Sequence, residues 1–491
     1  MNARTQGPAG KTLAQLLAPL PAPAQTVRGL ASDSRLLRAG DLFLACRGAE
    51  HDARAFIRAA ESAGAAAVVA EAGVAPGQRP QAIPLVEVEG LRERLGVIAA
   101  RFHDHPSDAV VVVGVTGTNG KTTVSQLVGQ LLRVGDGSCG VLGTLGAGTD
   151  GEPAAATHTT PDAITLQRQL ARWRDAGIGH ASLEVSSHAL DQGRINGLRV
   201  HTAVFTNLSR DHLDYHGTMA AYGAAKLRLF RHPGLTQAIV NVDDPFAASV
   251  LGALGAGVRA VTVSTCRRAD AEVRADLRPQ PGALCGTLHT PWGTGPVRAP
   301  LLGAFNAANL AAAAASALAL GLPFDALQAA VATLRPVPGR MQQIENARGL
   351  RVIVDYAHTP DALDSALAAL RVHGADRVLV VFGCGGDRDR GKRAAMGAIA
   401  CALADRVFVT SDNPRGEDPR HILEDVAAGC SGDYRLIVDR AEAIRAALAA
   451  AAPGDAVLIA GKGHEDYQLI GRERLPFSDA AVARRALEAS P

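Results

Sequence analysis

Apolar positions along this chain follow two patterns that take turns. Short, nearly unbroken apolar runs predict buried strands, and stretches where apolar residues return every three or four positions predict amphipathic helices. From Val27 to Glu89, short strands such as Asp41–Ala45 and Ala66–Ala70 alternate with helical stretches such as Ala53–Ala63, and a helix at Leu91–Phe102 closes the series. A strand at Ala109–Val115 opens a longer α/β stretch, with further strands at Ala181–Val185, Thr202–Asn207, Ala238–Val242 and Ala260–Ser264. The polar, Gly- and Pro-rich stretch Arg274–Pro300 predicts a hairpin or loop, and a helix follows at Asn306–Leu320. Beyond it, strands at Arg351–Val354, Val378–Phe382, Arg406–Val409 and Ala456–Ala460 alternate with helices, the pattern of a parallel sheet. His103–Pro106 and Arg335–Gly339 read as linkers, the second because two prolines and a glycine stop helix and strand alike. The expectation is an α/β protein of three domains, 1–106, 107–336 and 337–491, in line with roughly 100–200 residues per domain.

Bulk composition narrows the function classes. Hydrophobic residues make up 47% of the chain and charged residues 20%, so each domain can build a core. Net charge is +2 with no basic block, and aromatic residues are only 4%, which argues against a nucleic-acid partner. The seven cysteines are scattered without a C-x-x-C pair, so neither a zinc site nor a disulfide framework is expected. Residues 12–25 faintly mimic a signal peptide, but Gln15 and three prolines interrupt the apolar run. Leu310–Leu322 is apolar over only 13 residues, too short to span a bilayer, and predicts a buried helix. A soluble cytoplasmic protein with no membrane insertion is expected.

Lysine usage sharpens the search for chemistry. Lys and Arg total 50, yet the only lysines are Lys11, Lys121, Lys226, Lys392 and Lys462. A lysine that persists against such a bias is a candidate for work a guanidinium cannot do, as a compact charge or a reactive amine.

Residues 111–123 read V-V-V-G-V-T-G-T-N-G-K-T-T, a strand running into a glycine-rich turn. Small residues let Gly117, Thr118, Asn119 and Gly120 curl around a phosphate, and a following helix adds its positive end. Lys121 would reach the β/γ-phosphates, the Thr122 hydroxyl would ligate Mg²⁺, and Thr123 completes the loop. Five residues, not four, separate Gly114 from Gly120, so the strict Walker spacing is broken. A nucleoside triphosphate such as ATP is the expected ligand. Glu184, in L-E-V-S-S-H at a strand end, reads as a magnesium ligand or as a helix cap. In F-T-N-L-S-R-D-H-L-D-Y-H, His212 or an aspartate could touch a metal. In the helix around Lys226, Met219, Tyr222, Lys226, Leu229 and Phe230 share a face. Lys226 is then either a desolvated amine able to take up CO₂ as a carbamate, or a lysine whose head reaches solvent.

Taken together, T-G-T-N-G-K-T-T, E-V-S-S-H, F-T-N-L-S-R-D-H-L-D-Y-H and Y-x-x-x-K resemble the Mur ligases, ATP-dependent amide-forming enzymes of peptidoglycan precursor synthesis. The likeness continues through Gly303–Asn309, Pro338-Gly-Arg340, Asp355-Tyr-Ala-His358-Thr-Pro360 and Gly385-Gly-Asp387-Arg388, covering essentially the whole chain in the family's order. It implies an N-terminal domain for the UDP moiety, a central P-loop ATPase-like domain and a C-terminal Rossmann-like domain for the incoming amino acid. The five-residue glycine spacing is the family's own. By the same resemblance Glu184 and His212 match magnesium ligands, and Lys226 matches the family's carbamylated lysine. Asn306 and Arg340 match nucleotide contacts, and Asp355, His358 and Lys392 sit in motifs closing over ATP. Ser34, within Asp33-Ser34-Arg35, together with Thr159, Thr160, Ser186, Gln192 and Arg194, matches the UDP-substrate site.

Ser411-Asp412-Asn413-Pro414-Arg415 resembles the signature of family members that add meso-diaminopimelate to UDP-N-acetylmuramoyl-L-alanyl-D-glutamate. Diaminopimelate carries one carboxylate more than lysine, and a guanidinium fork such as Arg415 is its best partner. Lysine would leave that fork unpaired. Arg388, Gly461 and Glu465 match the remaining amino-acid contacts. The implied mechanism forms an acyl phosphate on the D-glutamate γ-carboxylate, which the amine then attacks, with domain closure excluding water. A monomer acting on small molecules is expected. The lysine-adding ligase is the nearest rival, disfavoured by Arg415. A folylpolyglutamate synthetase is disfavoured by the T-T-P, D-S-R and D-N-P-R elements, and a non-catalytic nucleotide-binding regulator by the presence of Lys121, Glu184, His212 and Lys226.

Overall fold

A computed structural model describes residues 10–48, 52–134, 137–149, 158–266, 268 and 270–488. The protein is α/β throughout, and its chain divides into two compact units, Met1–Thr262 and Val263–Pro491, the division falling within the strand Arg259–Ser264.

In the first unit, four parallel strands, Gly29–Ala31, Asp41–Ala45, Ala67–Glu71 and Leu85–Val88, pair in chain order. The helix Leu91–Phe102 buries Leu91, Ile98, Ala99 and Phe102, which share a core with Leu42, Leu44, Ala67 and Val69 of the sheet. Leu13, Leu16 and Leu17 of a short helix, started by a Thr12–Gln15 capping box, belong to the same core. In the larger sheet Val111–Thr116 lies between His180–Glu184 and Val200–Phe205, all parallel. Cys139–Gly143 and Gln237–Asn241 extend it on either side. The central strand is buried on both faces, which is why its sequence is an apolar run rather than an alternation. Chain order reverses beside it, and ligands of open α/β sheets collect at such a switch point, beyond the carboxyl ends of the strands. The turn 117–120 sits at that point.

The second unit carries three antiparallel strands, Val273–Gln280, Ala283–Thr290 and Gly293–Ala299, where the sequence predicts a hairpin or loop. Gly282, Gly286, Gly293 and Gly295 with Pro279 and Pro296 hide the alternation, and Pro296 is tolerated because its strand lies at a sheet edge. The helix Phe305–Ala319 is buried along most of its length, as its alanine-rich sequence predicts. Among the described residues no helix is long and apolar enough to cross a membrane. A six-stranded sheet follows in the order Gln342–Ile344, Arg351–Asp355, Ala456–Ala460, Val378–Phe382, Arg406–Thr410, Tyr434–Ile437. Its strands are parallel except the first, with an apolar core on each face.

One buried ion pair ties two strand ends of that sheet together. Arg440 and Asp479 are both fully buried and meet at 2.7 Å. Arg440 also donates to the Ala460 carbonyl at 2.9 Å and the Ser411 carbonyl at 3.3 Å. Removing only the carboxylate strands a buried cation, so Asp479→Ala is expected to cost about 3–5 kcal/mol of unfolding free energy. Urea denaturation checks this, and a loss below about 1 kcal/mol contradicts it.

Candidate active site

The turn after Val111–Thr116 is shaped by its neighbour strand. Gly117 has φ +155°, and a Cβ there would lie 1.8 Å from Thr206 Oγ1, so only glycine fits. Thr118 N and Asn119 N donate to Asn207 O and Oδ1, each at 2.9 Å. Thr206 Oγ1 donates to the Asn119 carbonyl at 2.6 Å. The F-T-N segment thus braces the loop from below. The helix Lys121–Leu132 starts at Gly120 without a side-chain cap, so the positive end of its dipole faces whatever the loop holds.

Two lysines converge on this loop. Lys121 Nζ donates to the carbonyls of Gly117 and Thr118 at 2.9 and 2.8 Å. Lys226 Nζ, 1% exposed, donates to the same Gly117 carbonyl at 2.8 Å. The helix Met219–Phe230 puts Tyr222, Lys226, Leu229 and Phe230 on its buried face; the lysine does not reach solvent. Burial, and next the charge of Lys121, hold the Lys226 amine well below the ordinary lysine range. Its Nζ lies 4.3 Å from the Tyr222 ring centroid, and Tyr222 Oη is 3.1 Å from Thr118 Oγ1.

Glu184 ends its strand with a buried carboxylate that caps no helix. Oε2 accepts from Thr122 Oγ1 at 2.9 Å and Thr144 Oγ1 at 3.0 Å, and Oε1 accepts from Thr144 N at 2.7 Å. Thr122 and Glu184 are hard oxygen donors in contact, a set that suits Mg²⁺. Among the described residues no group of three or more His, Cys, Asp or Glu side chains is arranged to hold a metal. His212, at φ +53°, stands beside Tyr222 with ring centroids 6.0 Å apart and packs edge-on against His188 at 4.9 Å. Burial lowers its pKa, Asp211 opposing, which favours the neutral imidazole that can ligate.

The expected UDP-substrate residues form one network that ends on Glu184. Arg194 donates to Gln192 Oε1 at 2.7 Å and to the Thr160 carbonyl at 2.7 Å. Thr160 Oγ1 donates to the Glu184 carbonyl at 2.7 Å and accepts from Ser186 N at 3.1 Å, while Thr144 Oγ1 reaches Thr159 Oγ1 at 3.1 Å. Ser34 lies apart in the turn Ser34–Leu36, where Asp33 accepts from Arg35 N at 2.9 Å. Thr144 was invisible to sequence reading, although its place just past the strand Cys139–Gly143 is the same signal that singles out Glu184.

In the second unit the other expected residues gather at the carboxyl ends of parallel strands. Asp355 accepts from Met341 N at 2.6 Å and Ala357 N at 2.8 Å, though burial raises its pKa. Arg340 stacks on the Tyr356 ring at 4.2 Å, and Lys392 Nζ donates to the His358 carbonyl at 2.7 Å. Asn306 stands apart near the start of its helix, its amide bonded to Leu302 O at 2.6 Å and Asn309 Nδ2 at 2.8 Å. Arg415 is half-buried at φ +51°, its Nη1 donating to the Gly386 carbonyl at 2.9 Å. Gly461 packs against Asp412, and Asn413 Nδ2 donates to Glu465 Oε2 at 2.9 Å. Pro414 is buried, and Arg388 is exposed on the loop after Phe382.

Arg393, fully buried, holds the two loops of that site and was missed in the sequence. It donates to Glu417 Oε1 at 2.9 Å, Asp425 Oδ2 at 2.8 Å and the Gly385 carbonyl at 3.2 Å. Its hydrogen bond, with a second from Asp387 N, holds the Glu417 carboxyl down at about 2. Its partners lie 24 and 32 positions downstream, beyond any local pattern.

Comparison with known proteins agrees with this geometry. Family models match three successive stretches: the Mur ligase family catalytic domain over residues 26–103, the Mur ligase middle domain over 115–317, and the Mur ligase glutamate ligase domain over 339–463. A UDP-N-acetylmuramoyl-L-alanyl-D-glutamate–2,6-diaminopimelate ligase of Alkalilimnicola ehrlichii is 51% identical, covering 94% of this chain and 95% of the relative. Its counterpart from Pseudomonas aeruginosa is 47% identical, covering 94% and 95%. A solved structure of a UDP-N-acetylmuramoyl-L-alanyl-D-glutamate–2,6-diaminopimelate ligase, 38% identical, superposes with a TM-score of 0.72 over 98% of this chain and 99% of its own. With three family models in succession along its length and relatives about half identical nearly end to end, the chain belongs to the Mur ligase family.

Proposed function

We propose that this chain is the ATP-dependent ligase that joins meso-diaminopimelate to the D-glutamate γ-carboxylate of UDP-N-acetylmuramoyl-L-alanyl-D-glutamate, a step of peptidoglycan precursor synthesis. The relatives that match nearly end to end carry that activity in their names. The observation that carries the chemistry is the meeting of Lys121 and Lys226 on one carbonyl of the phosphate loop, beside the Thr122–Glu184 pair. We divide the work among domains 1–106, 107–336 and 337–491, for the UDP moiety, ATP and the amino acid respectively. Since ATP and the nucleotide-linked substrate are made inside the cell, the reading implies a cytoplasmic enzyme.

Lys121 is assigned to the β/γ-phosphates, leaving the Gly117 and Thr118 carbonyls as the triphosphate enters. The γ-carboxylate of the substrate attacks the γ-phosphorus, ADP leaves, and the amine of diaminopimelate attacks the resulting acyl phosphate to release inorganic phosphate. Little covalent work falls to the protein, so positioning and charge stabilisation dominate. Thr122, Glu184 and His212 would hold Mg²⁺, which when bound neutralises phosphate charge. Lys226, a buried amine whose hold on its proton burial weakens, is assigned as a carbamate: its nitrogen adds to CO₂ and a proton leaves. The anion formed would offset the cationic charge gathered at the loop and offer oxygen ligands. Thr159, Thr160, Ser186, Gln192 and Arg194 orient the nucleotide substrate beside Glu184, and Asn306, Arg340, Asp355 and His358 are assigned to the nucleotide. Arg388, Asp412–Arg415, Gly461 and Glu465 receive the diamino acid.

Lys226→Met is expected to lower kcat by about 10²–10³. Steady-state ADP release checks it, and a kcat within about threefold of wild type overturns the assignment. The function itself is tested by ADP release with ATP, Mg²⁺ and the nucleotide substrate, supplying meso-diaminopimelate or L-lysine in parallel. Turnover is expected with diaminopimelate alone. Arg415→Ala is expected to raise KM for diaminopimelate about 10–100-fold. Wild-type turnover with lysine, or an unchanged KM in the variant, contradicts the role of Arg415.

A further inference from the structure

Lys462 lies in a motif, G-K-G-H-E, whose glutamate the mechanism uses and whose lysine it leaves without a role. It is fully buried, and its Nζ donates to Asn413 Oδ1 at 3.0 Å and to Glu465 Oε2 at 2.9 Å. Asn413 Nδ2 donates to the same Glu465 oxygen at 2.9 Å, which closes a triangle of polar groups. Leu469 N also donates to Asn413 Oδ1 at 2.9 Å. Two donors on that oxygen leave no choice of amide orientation, so the Asn413 NH₂ must face Glu465.

The triangle divides the carboxylate of Glu465 into two unequal halves. Oε2 takes both donors, whereas Oε1 has no hydrogen-bond partner among the described residues. The side chain keeps 16% of its surface. One oxygen is anchored and the other is presented, the arrangement suited to a charge-assisted bond from an ammonium group. Without the lysine, Asn413 Nδ2 would be the one donor left on Glu465 Oε2 among the described residues, and the buried cation that fixes the carboxylate against the Asn413 loop would be lost. The backbone enforces the geometry. Gly461 and Gly463, at φ +114° and +54°, flank Lys462, and a Cβ at 463 would lie 2.7 Å from the Gly339 carbonyl oxygen. The sharp turn they permit buries the lysine and brings Glu465 to the Asp412–Arg415 loop. A planar guanidinium is a poor substitute for a compact ammonium at this point, with the Tyr467 ring centroid 5.4 Å away.

We propose that Lys462 is a positioning residue for amino-acid selection, holding Asn413 and Glu465 so that the second oxygen of Glu465 receives an ammonium of the incoming diamino acid. This rests on the reading of that loop cluster as the diaminopimelate site. Lys462 touches no reacting atom; it acts through Glu465.

The test is the Lys462→Met variant of the full chain, with three measurements. KM for meso-diaminopimelate is expected to rise about tenfold or more, while KM for ATP and for the nucleotide substrate stay within about twofold. Hydroxylamine, supplied in place of the amino acid, converts the acyl phosphate to a hydroxamate and phosphate, and its rate is expected to match wild type. A uniform rise of all three KM values, or a fall in kcat with every KM unchanged, overturns the proposal by making Lys462 merely structural. Lys462→Gln, which keeps a donor without the charge, is expected to fall between wild type and the methionine variant, and serves where the latter does not fold by thermal melting. Failure of both variants to fold counts against the proposal, because a lysine needed for folding is a structural one. A wild-type enzyme inactive with diaminopimelate overturns the underlying reading instead, whatever the variants do.

Discussion

Two lysine side chains share one backbone carbonyl of the phosphate loop, and much of the first unit can be understood from that constraint. Lys121 and Lys226 both donate to Gly117 O, with Lys226 almost wholly removed from water. Two amines this close in a poorly solvated site disfavour each other's charge, which Asp211 offsets only in part, so further negative charge at the loop is stabilising. The P-loop ligand is an anion, and a carbamate on Lys226 is another. The site is therefore built to be completed by negative charge. The packing that enforces this is ordinary: Gly114 of the central strand allows Leu229 of the lysine-bearing helix to approach to within 3.3 Å of where a Cβ would sit.

The second unit solves a different problem with similar means. Its loops leave the carboxyl ends of parallel strands and are tied by backbone bonds such as Gly386 N to Asn413 O at 3.0 Å and Arg415 N to Leu469 O at 3.0 Å. Buried cations add to that framework. Arg440 spans the ends of two strands through Ser411 and Ala460, Arg393 ties Gly385 to Glu417 and Asp425, and Lys462 joins Asn413 to Glu465. Each uses carbonyls or carboxylates of loops distant in sequence, so each fixes loop against loop rather than loop against core. Such cross-loop ties hold side chains at set separations, which the proposed binding of a substrate with two ammonium and two carboxylate groups would require.

Much of this was legible in the sequence where the signal is local. The helices Leu91–Phe102 and Met219–Phe230 and the strands Val378–Phe382 and Ala456–Ala460 have the expected bounds, because apolar periodicity and flanking turn residues both mark them. The phosphate loop and Glu184 stand at strand ends, a pattern along the chain, whereas the apolar stripe around Lys226 left open whether the amine is buried or reaches solvent, and its burial is what the fold adds. The three antiparallel strands from Val273 to Ala299 were not legible, since glycine and proline interrupt their alternation. Thr144, Arg393 and Arg440 were missed for another reason: each works through partners dozens of residues away, brought near only by the fold. The scarcity of lysine pointed at Lys462, but only its buried contacts say what it holds.

The central claim, that the first unit is poised to carry an anion on Lys226, can be measured without turnover. The enzyme would be equilibrated with ¹³C-bicarbonate and examined by ¹³C NMR, beside the Lys226→Met variant. The account predicts a carbamate resonance in the wild-type protein that is absent from the variant. A wild-type spectrum without that resonance, at bicarbonate concentrations where the enzyme is folded, would contradict it and leave the charge at the phosphate loop to be balanced by ligands alone.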